Sequence, residues 1–321
     1  MENMKLKVVY GDVVLGVHGE GFDYLFSYQT GGMESLVLDG KEWLYRTPKP
    51  AFWRAVTDND RGNGFPARSG MWLAADMFSF CREIEVSVDG TVIPLPTAPE
   101  NNRFGGTKEA DRVKIRFVYQ TVTVPAADVE VAYEVTADGK IRVDVCYHGK
   151  KGLPELPVFG LRLVMPTKAL GFCYQGLSGE TYPDRMAGGI PGIYEIEGLP
   201  MTKYLVPQDC GMHMETDWLE IYRDSVLNRA DKETGRFGIR IGSIDKKFAF
   251  SCLPYTPQEI ENATHQEELP PERRTVLTVC GAVRGVGGID SWGADVEPEY
   301  HIDAGQELAF SFRIEPLPHN V

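Results

Sequence analysis

The sequence predicts an all-β protein, mostly antiparallel, with few short helices. Two observations carry that prediction: apolar residues recur at every second position in run after run, and Asp-Gly pairs stand where such runs meet. Between Arg112 and Tyr147 the apolar set is Val113, Ile115, Phe117 and Tyr119, then Val129, Val131, Tyr133 and Val135, then Ile141, Val143, Val145 and Tyr147. The positions between them are largely charged or polar, so each run reads as a half-buried strand with one wet face. Asp138-Gly139 joins the last two runs as a hairpin turn, and Asp39-Gly40 and Asp89-Gly90 sit at similar junctions.

Further strand-like runs cover Leu161–Met165, Phe237–Ile241, Phe248–Leu253, Thr275–Val279 and Leu308–Ile314. Helical signals are confined to two places. Met71, Ala75 and Phe78 have helical spacing and predict a short helix over Met71–Phe80, after the glycine-rich turn at Gly62–Gly64. Thr256-Pro257-Gln258-Glu259 combines an N-cap, proline at the first helical position and glutamate at the capping-box position, so a short helix starts there. Asn101–Asp111, Pro183–Pro207 and Pro254–Pro271 read as loop-rich. No repeat of fixed period occurs, which excludes blades and solenoids. Residues 1–321 therefore read as one large β-sandwich domain with long loops on one side.

The charge balance narrows the function. A net charge of −13 opposes binding to nucleic acid or to an anionic membrane surface, since both reward a basic patch. Apolar runs are short and interrupted, so no membrane span is expected. The polar start Met1-Glu2-Asn3-Met4-Lys5 leads directly into strand-like sequence, unlike a secretory leader, and the expected location is the cytoplasm. Cys81, Cys146, Cys173, Cys210, Cys252 and Cys280 are widely spread, with no CxxC pair. They read as structural thiols in a reducing compartment, and the histidines show no paired metal-ligand spacing.

Four stretches carry chemistry-bearing residues. In Gly285-Val286-Gly287-Gly288-Ile289-Asp290-Ser291-Trp292-Gly293, glycines that permit a tight loop surround an indole. Trp292 is then either a plug for the core or a flat stacking platform for a sugar ring. In Phe52–Gly62, the spacing of Asp58, Asp60 and Gly62 superficially suggests a calcium loop, but Ser69 stands where such a loop needs glutamate. Asp58, Asn59 and Asp60 are better read as turn-formers paired with Arg54 or another arginine. Glu180-Thr181-Tyr182-Pro183-Asp184-Arg185 offers two carboxylates, a phenol and a guanidinium, and an Arg–Asp brace is favoured there over glycosidase-type acid catalysis. His213, with Glu215 and Asp217 nearby, is a candidate acid–base pair if strand alternation puts them on one side.

Taken together and in order, these stretches resemble the C-terminal domain of large bacterial β-galactosidases of the glycoside hydrolase family 2 type, which some bacteria make as a separate small chain. The match rests on Phe52-Trp53-Arg54-Ala55 with Thr57-Asp58-Asn59-Asp60, on Glu180 with Tyr182-Pro183-Asp184-Arg185, on Pro207-Gln208-Asp209-Cys210-Gly211, and on Gly287-Gly288 with Asp290-Ser291-Trp292. It spans nearly the whole chain. One departure is local: the family commonly has Gly-Pro ahead of the glutamate, where this chain has Leu177-Ser178-Gly179.

The resemblance implies a galactose-mutarotase-like supersandwich. It also implies that Trp292 reaches the active site of a catalytic barrel and stacks on the sugar, and that a mobile loop near that site falls around Asp39 to Lys49. Arg54, Asp58, Asn59, Asp60, Glu180, Tyr182, Asp184, Arg185, Asp290 and Ser291 become supports for the loops. The acid and nucleophile glutamates and the metal ions belong to a separate large chain, so no catalytic residue, cofactor or metal is expected in this one. The expected function is the small subunit of a β-galactosidase acting on terminal β-galactosides such as lactose, with the isolated chain inactive. Two rivals remain at this point: a free-standing sugar mutarotase or epimerase using His213, and a carbohydrate-binding module.

Overall fold

The computed structural model describes residues 4–95, 108–233 and 235–317. The chain is all-β with few short helices, and every strand pairing among the described residues is antiparallel. It opens with β1 (Leu6–Tyr10), β2 (Val14–Gly19), β3 (Phe22–Ser27), β4 (Gly32–Leu38), β5 (Lys41–Glu42) and β6 (Arg46–Ala51). Helices α1 (Asp58–Asn63), α2 (Phe65–Ser69) and α3 (Met71–Phe78) follow. The middle holds β7 (Phe80–Val88), β8 (Thr91–Ile93), β9 (Lys108–Ala110), β10 (Arg112–Gln120), β11 (Asp128–Thr136), β12 (Ile141–Tyr147), β13 (Val158–Met165), β14 (Gly171–Leu177) and β15 (Pro191–Glu197). The remainder is β16 (Met212–Thr216), β17 (Trp218–Arg223), β18 (Phe237–Ser243), β19 (Phe248–Leu253), α4 (Pro257–Asn262), β20 (Thr275–Val283) and β21 (Leu308–Pro316).

Three sheets result. One has the order β5-β4-β3-β2-β1-β9, the second β15-β14-β17-β18-β21-β12-β11-β10-β7-β8, and the third β16-β19-β20-β13-β6. The alternation that predicts the strands also sets their register. Ile115 pairs with Tyr133, Tyr133 with Val143, and Val143 with Phe312, so one buried row crosses four strands. Each such side chain contributes about 1.5–3 kcal/mol by leaving water. A one-residue slip would turn all of them outward. The core they join runs from Leu6 to Ile314.

The turns follow their residues. Asp39 and Gly40, and Asp89 and Gly90, all have positive φ, as a tight two-residue hairpin needs. Thr256 caps α4 with a complete capping box to Glu259. β13 is buried along its whole length because it lies between β6 and β20 and is covered on both faces, which is why it reads as a continuous apolar run. Arg162 is its one charged residue, and it is buried because Asp76 and the Trp53 carbonyl take its donors.

Several expectations are corrected. Loop-rich Pro183–Pro207 also holds an unforeseen edge strand, β15, and Lys108–Ala110 of the Asn101–Asp111 segment is strand, while 101–107 lie outside the described residues. The segment Asp39–Lys49 is not a free loop: it contains β5 and the start of β6, buries Trp43, and ties Lys41 to Asp231 at 2.7 Å. Asp58–Asn63 is a helix rather than a turn.

Candidate functional site

Beside the end of the five-stranded sheet where β20 stops, four distant stretches of chain meet. The first is α1. Thr57 accepts the Asp60 amide, and the Asp60 carboxylate accepts the Thr57 amide at 2.9 Å, a capping box that fixes the helix start. The same carboxylate takes Arg54 at 2.6 and 3.2 Å and Arg284 at 3.3 Å. All three side chains are buried. Burial alone would raise the Asp60 carboxyl, but Arg54 and the Thr57 donors outweigh it and hold it below the usual range. Arg284 also holds Glu155 at 2.9 Å and Asp295.

This charged frame grips the loop that leaves β20. Every backbone polar group of Gly285, Val286 and Gly287 has a partner from elsewhere in the chain. The Gly285 amide donates to the Tyr300 carbonyl, and the Gly285 carbonyl accepts from both Arg54 and Arg284. The Asp184 carboxylate accepts the amides of Val286 at 3.0 Å and Gly287 at 2.8 Å. Asn59 donates to the Val286 carbonyl at 3.1 Å, and Arg185 to that of Gly287. Such saturation removes the freedom a glycine-rich stretch would otherwise have.

Past this clamp, Gly287 and Gly288 both have positive φ and turn the chain outward; a side chain at Gly288 would run into Asn59. The Asp290 carboxylate then accepts the amides of Trp292 at 2.8 Å and Ala294 at 3.1 Å, and these backbone bonds, that from Ala294 first, lower its pKa. Ser291 is exposed. Asp295 closes the return through Arg284, Arg68 and Asn63. The result is an indole that is 93% exposed at the tip of a loop whose base is braced. Core burial is therefore not its role.

Next to the clamp lies an open cleft of about 480 Å³, whose walls include Asp58, Asn59, Glu180, Tyr182, Arg185 and Asp209. Tyr182 donates its hydroxyl to Asp209 at 2.7 Å, and Glu180 accepts from Thr202 at 2.7 Å. Burial pushes the Asp209 carboxyl up to about 6, against the pull of Arg54 and Tyr182. Asp58 lies at the helix start, where its amide donates to Gln208 and its carboxylate pairs with Arg61 at 2.9 Å.

The structure thus brings Arg54, Asp58, Asn59, Asp60, Glu180, Tyr182, Asp184 and Arg185 around the loop that carries Asp290, Ser291 and Trp292. Two readings change. Asp184 is not braced mainly by Arg185, whose Nε stands 3.9 Å away; both residues instead hold loop backbone. His213 is not half of an acid–base pair. Its ring is buried against Phe250 at 4.8 Å and Tyr174 at 4.7 Å between centroids, and burial lowers its pKa to about 4, so it is neutral. Glu215, at φ 54 beside a register shift, is exposed, and Asp217 pairs with Lys247. The bulge breaks the alternation on which that pairing depends.

Arg284, Glu155 and Asp295 escape sequence reasoning. Their only linear signal is that a charge at 284 directly follows an apolar strand and precedes the loop glycine. Cys146, His148 and Glu307 likewise have ligand-type atoms within 4.8 Å of one another, a grouping made by strand pairing and invisible in linear spacing.

The family model described as beta galactosidase small chain matches residues 18–314. A beta-galactosidase small subunit from Latilactobacillus sakei is 64% identical over 312 residues, covering 97% of this chain and 98% of that protein. Beta-galactosidases of Halalkalibacterium halodurans and Streptococcus thermophilus are 34% and 32% identical; the chain spans 28% of the length of each. A solved structure described as a putative aldose 1-epimerase from Escherichia coli aligns with 95% of this chain and 99% of its own at 13% identity and a TM-score of 0.45. The chain belongs to the beta-galactosidase small chain family.

Proposed function

We propose that this chain is the small subunit of a heteromeric β-galactosidase, assembled with a large chain that carries the catalytic barrel. Its contribution is to position the substrate: Trp292 presents an indole face to the sugar in the large chain's active site, and the frame of Asp60, Arg54, Asp184 and Arg185 fixes that face in space. The observation that carries this reading is the contrast between a tip residue that is 93% exposed and a loop base whose backbone groups are all bonded. Fixing the base of the loop in advance removes part of the entropy cost at binding, so help comes through orientation rather than proton transfer. Six free thiols suit a reducing cytoplasm, and among the described residues no helix is long and apolar enough to cross a membrane.

The test is nitrophenyl β-galactoside hydrolysis by the chain alone and after co-expression with the product of the adjacent reading frame, with galactose anomer exchange followed by NMR in the same samples. Hydrolysis only in the pair supports the reading. Trp292→Ala is then expected to assemble normally and lose about tenfold or more in kcat/KM, the scale of one aromatic stacking contact. Anomer exchange by the chain alone, or full activity in the Trp292→Ala pair, overturns it.

A further inference from the structure

A second concavity, with a volume of about 490 Å³, is lined by residues of β6, β13, α3 and α4 and by none of the tryptophan loop. Its floor violates a rule of sheet pairing. Lys49 of β6 stands directly opposite Arg162 of β13, and Arg46 faces Val164 across the adjoining bulge, so three cations gather on one patch. Like charges directly opposite on neighbouring strands repel. In a chain with net charge −13, such a cluster is against the general trend.

Among the described residues the one carboxylate lining the concavity is Asp76, and it is fully used. It accepts Arg162 at 2.5 Å, Gln258 at 2.8 Å and the amides of Phe52 at 2.9 Å and Trp53 at 3.1 Å. That fills its four lone-pair positions. Asp76 offsets Arg162, whereas Arg46 and Lys49 have no carboxylate at ion-pair distance among the described residues. Lys49 donates only to the Thr30 carbonyl at 3.2 Å and lies over the Tyr119 ring; Arg46 makes no ion pair or side-chain hydrogen bond among the described residues. Arg162 and Arg274 repel Arg46, while Glu259, whose carboxylate accepts the Thr256 cap bonds, attracts it without an ion-pair contact. Burial and this repulsion lower the Arg46 pKa, and burial lowers that of Lys49. Exposed Arg46 and half-buried Lys49 stand at one concavity with no ion-pair partner among the described residues, a local concentration of positive charge that suits an anionic ligand.

We propose that this concavity binds a phosphorylated monosaccharide, its phosphate held between Arg46 and Lys49. Two unpaired positive charges match a phosphomonoester dianion, and arginine offers the fork geometry that phosphate oxygens accept. The hydroxyls of Thr30 and Thr47, 3.2 Å apart, and the Gln258 amide supply partners for sugar hydroxyls, while Met77 gives an apolar wall. The volume falls in the range of small-ligand sites. The site is separate from the proposed galactoside role.

Isothermal titration of the full chain at constant ionic strength, with inorganic phosphate, glucose 6-phosphate and glucose as probes, tests the site. Both phosphates are expected to bind saturably, glucose 6-phosphate more tightly, and glucose not at all. Arg46→Gln and Lys49→Gln should each weaken phosphate binding about tenfold or more, whereas Lys140→Gln on an exposed hairpin leaves it unchanged. Thermal unfolding separates this from damage to the fold: in phosphate-free buffer both variants should melt no lower than the parent, because repulsion is relieved, and only the parent should gain Tm with phosphate. The proposal is overturned if no saturable heat appears, if the variants bind as the parent does, or if inorganic phosphate binds and the sugar phosphate does not. Exclusion of phosphate by the large chain would likewise overturn it, assigning the patch to an acidic segment of that partner.

Discussion

The Asp184 carboxylate accepts the Gly287 amide at 2.8 Å, joining a short helical turn of one loop to the base of another 103 residues further along the chain. With the Val286 amide it forms a two-donor cradle for one carboxylate, and it acts on the loop ahead of the point where the indole is displayed. The placement of the loop that carries Trp292 therefore depends on a residue outside that loop.

Asp184→Ala is expected to free those amides. Hydrogen exchange at Val286 and Gly287 should accelerate, stability should fall by about 1–3 kcal/mol for the lost charged hydrogen bonds, and activity of the assembled enzyme should fall through loop disorder. Asp184→Asn, which keeps an acceptor oxygen, should recover part of each. Unchanged exchange at these two amides would show that the cradle does not hold the loop.

Asp60→Asn leaves Arg54 and Arg284 facing each other with less compensation in a buried site. Breaking such a cluster costs about 3–5 kcal/mol, measurable by urea unfolding. Because both arginines also hold the Gly285 carbonyl, the loop should loosen with the frame.

His213 gives the chain an acid-sensitive element. Its folded pKa, near 4 through burial, lies below the ordinary value of 6.5, so the unfolded chain binds the proton first. The stability that follows is fully present above pH 6.5 and is lost as pH falls toward 4, on the order of 3 kcal/mol. His213→Phe, among Phe172, Tyr174 and Phe250, should flatten the pH dependence over that window and leave galactosidase activity intact. Loss of activity with an unchanged melting profile would restore a chemical role to the ring.

Asp209 works with the opposite sign. Its folded carboxyl is raised to about 6 by burial, above the ordinary 3.8, so the folded chain holds the proton longer. Its contribution is greatest below pH 3.8 and is lost as pH rises through 6, which leaves a penalty on the order of 2–3 kcal/mol at neutral pH. Asp209→Asn, still accepting from Tyr182, should therefore be at least as stable as the parent at pH 7. A less stable variant at pH 7, with a pH profile like the parent's, would refute this.

Much of the fold was legible because alternation and turn chemistry are local. The runs from Val113 to Tyr147 keep apolar residues on one side without interruption, and Thr256 to Glu259 spells its own cap. β15 was harder to see. It is an edge strand that puts Pro191 and Ile193 outside and Gly192 inside, so its two faces do not separate by polarity. Helix α1 was hidden because aspartate at position 60 takes the capping role usually held by glutamate or glutamine. The paired reading of His213 and Glu215 failed at a bulge, which alternation alone cannot reveal. At the site, the members of the frame could be named singly from short motifs, but Arg284 and the unpaired cations Arg46 and Lys49 acquire meaning only when strand register sets them beside their neighbours.

The placement of Trp292 also gives the chain an optical reporter. Of its five tryptophans, Trp43, Trp53 and Trp72 are buried and Trp218 is half-buried beneath the Arg240 guanidinium, leaving one indole in open solvent. Red-edge emission and collisional quenching by acrylamide therefore report mainly on that single ring. Docking against a partner or a sugar should shift its emission to the blue without any label being attached.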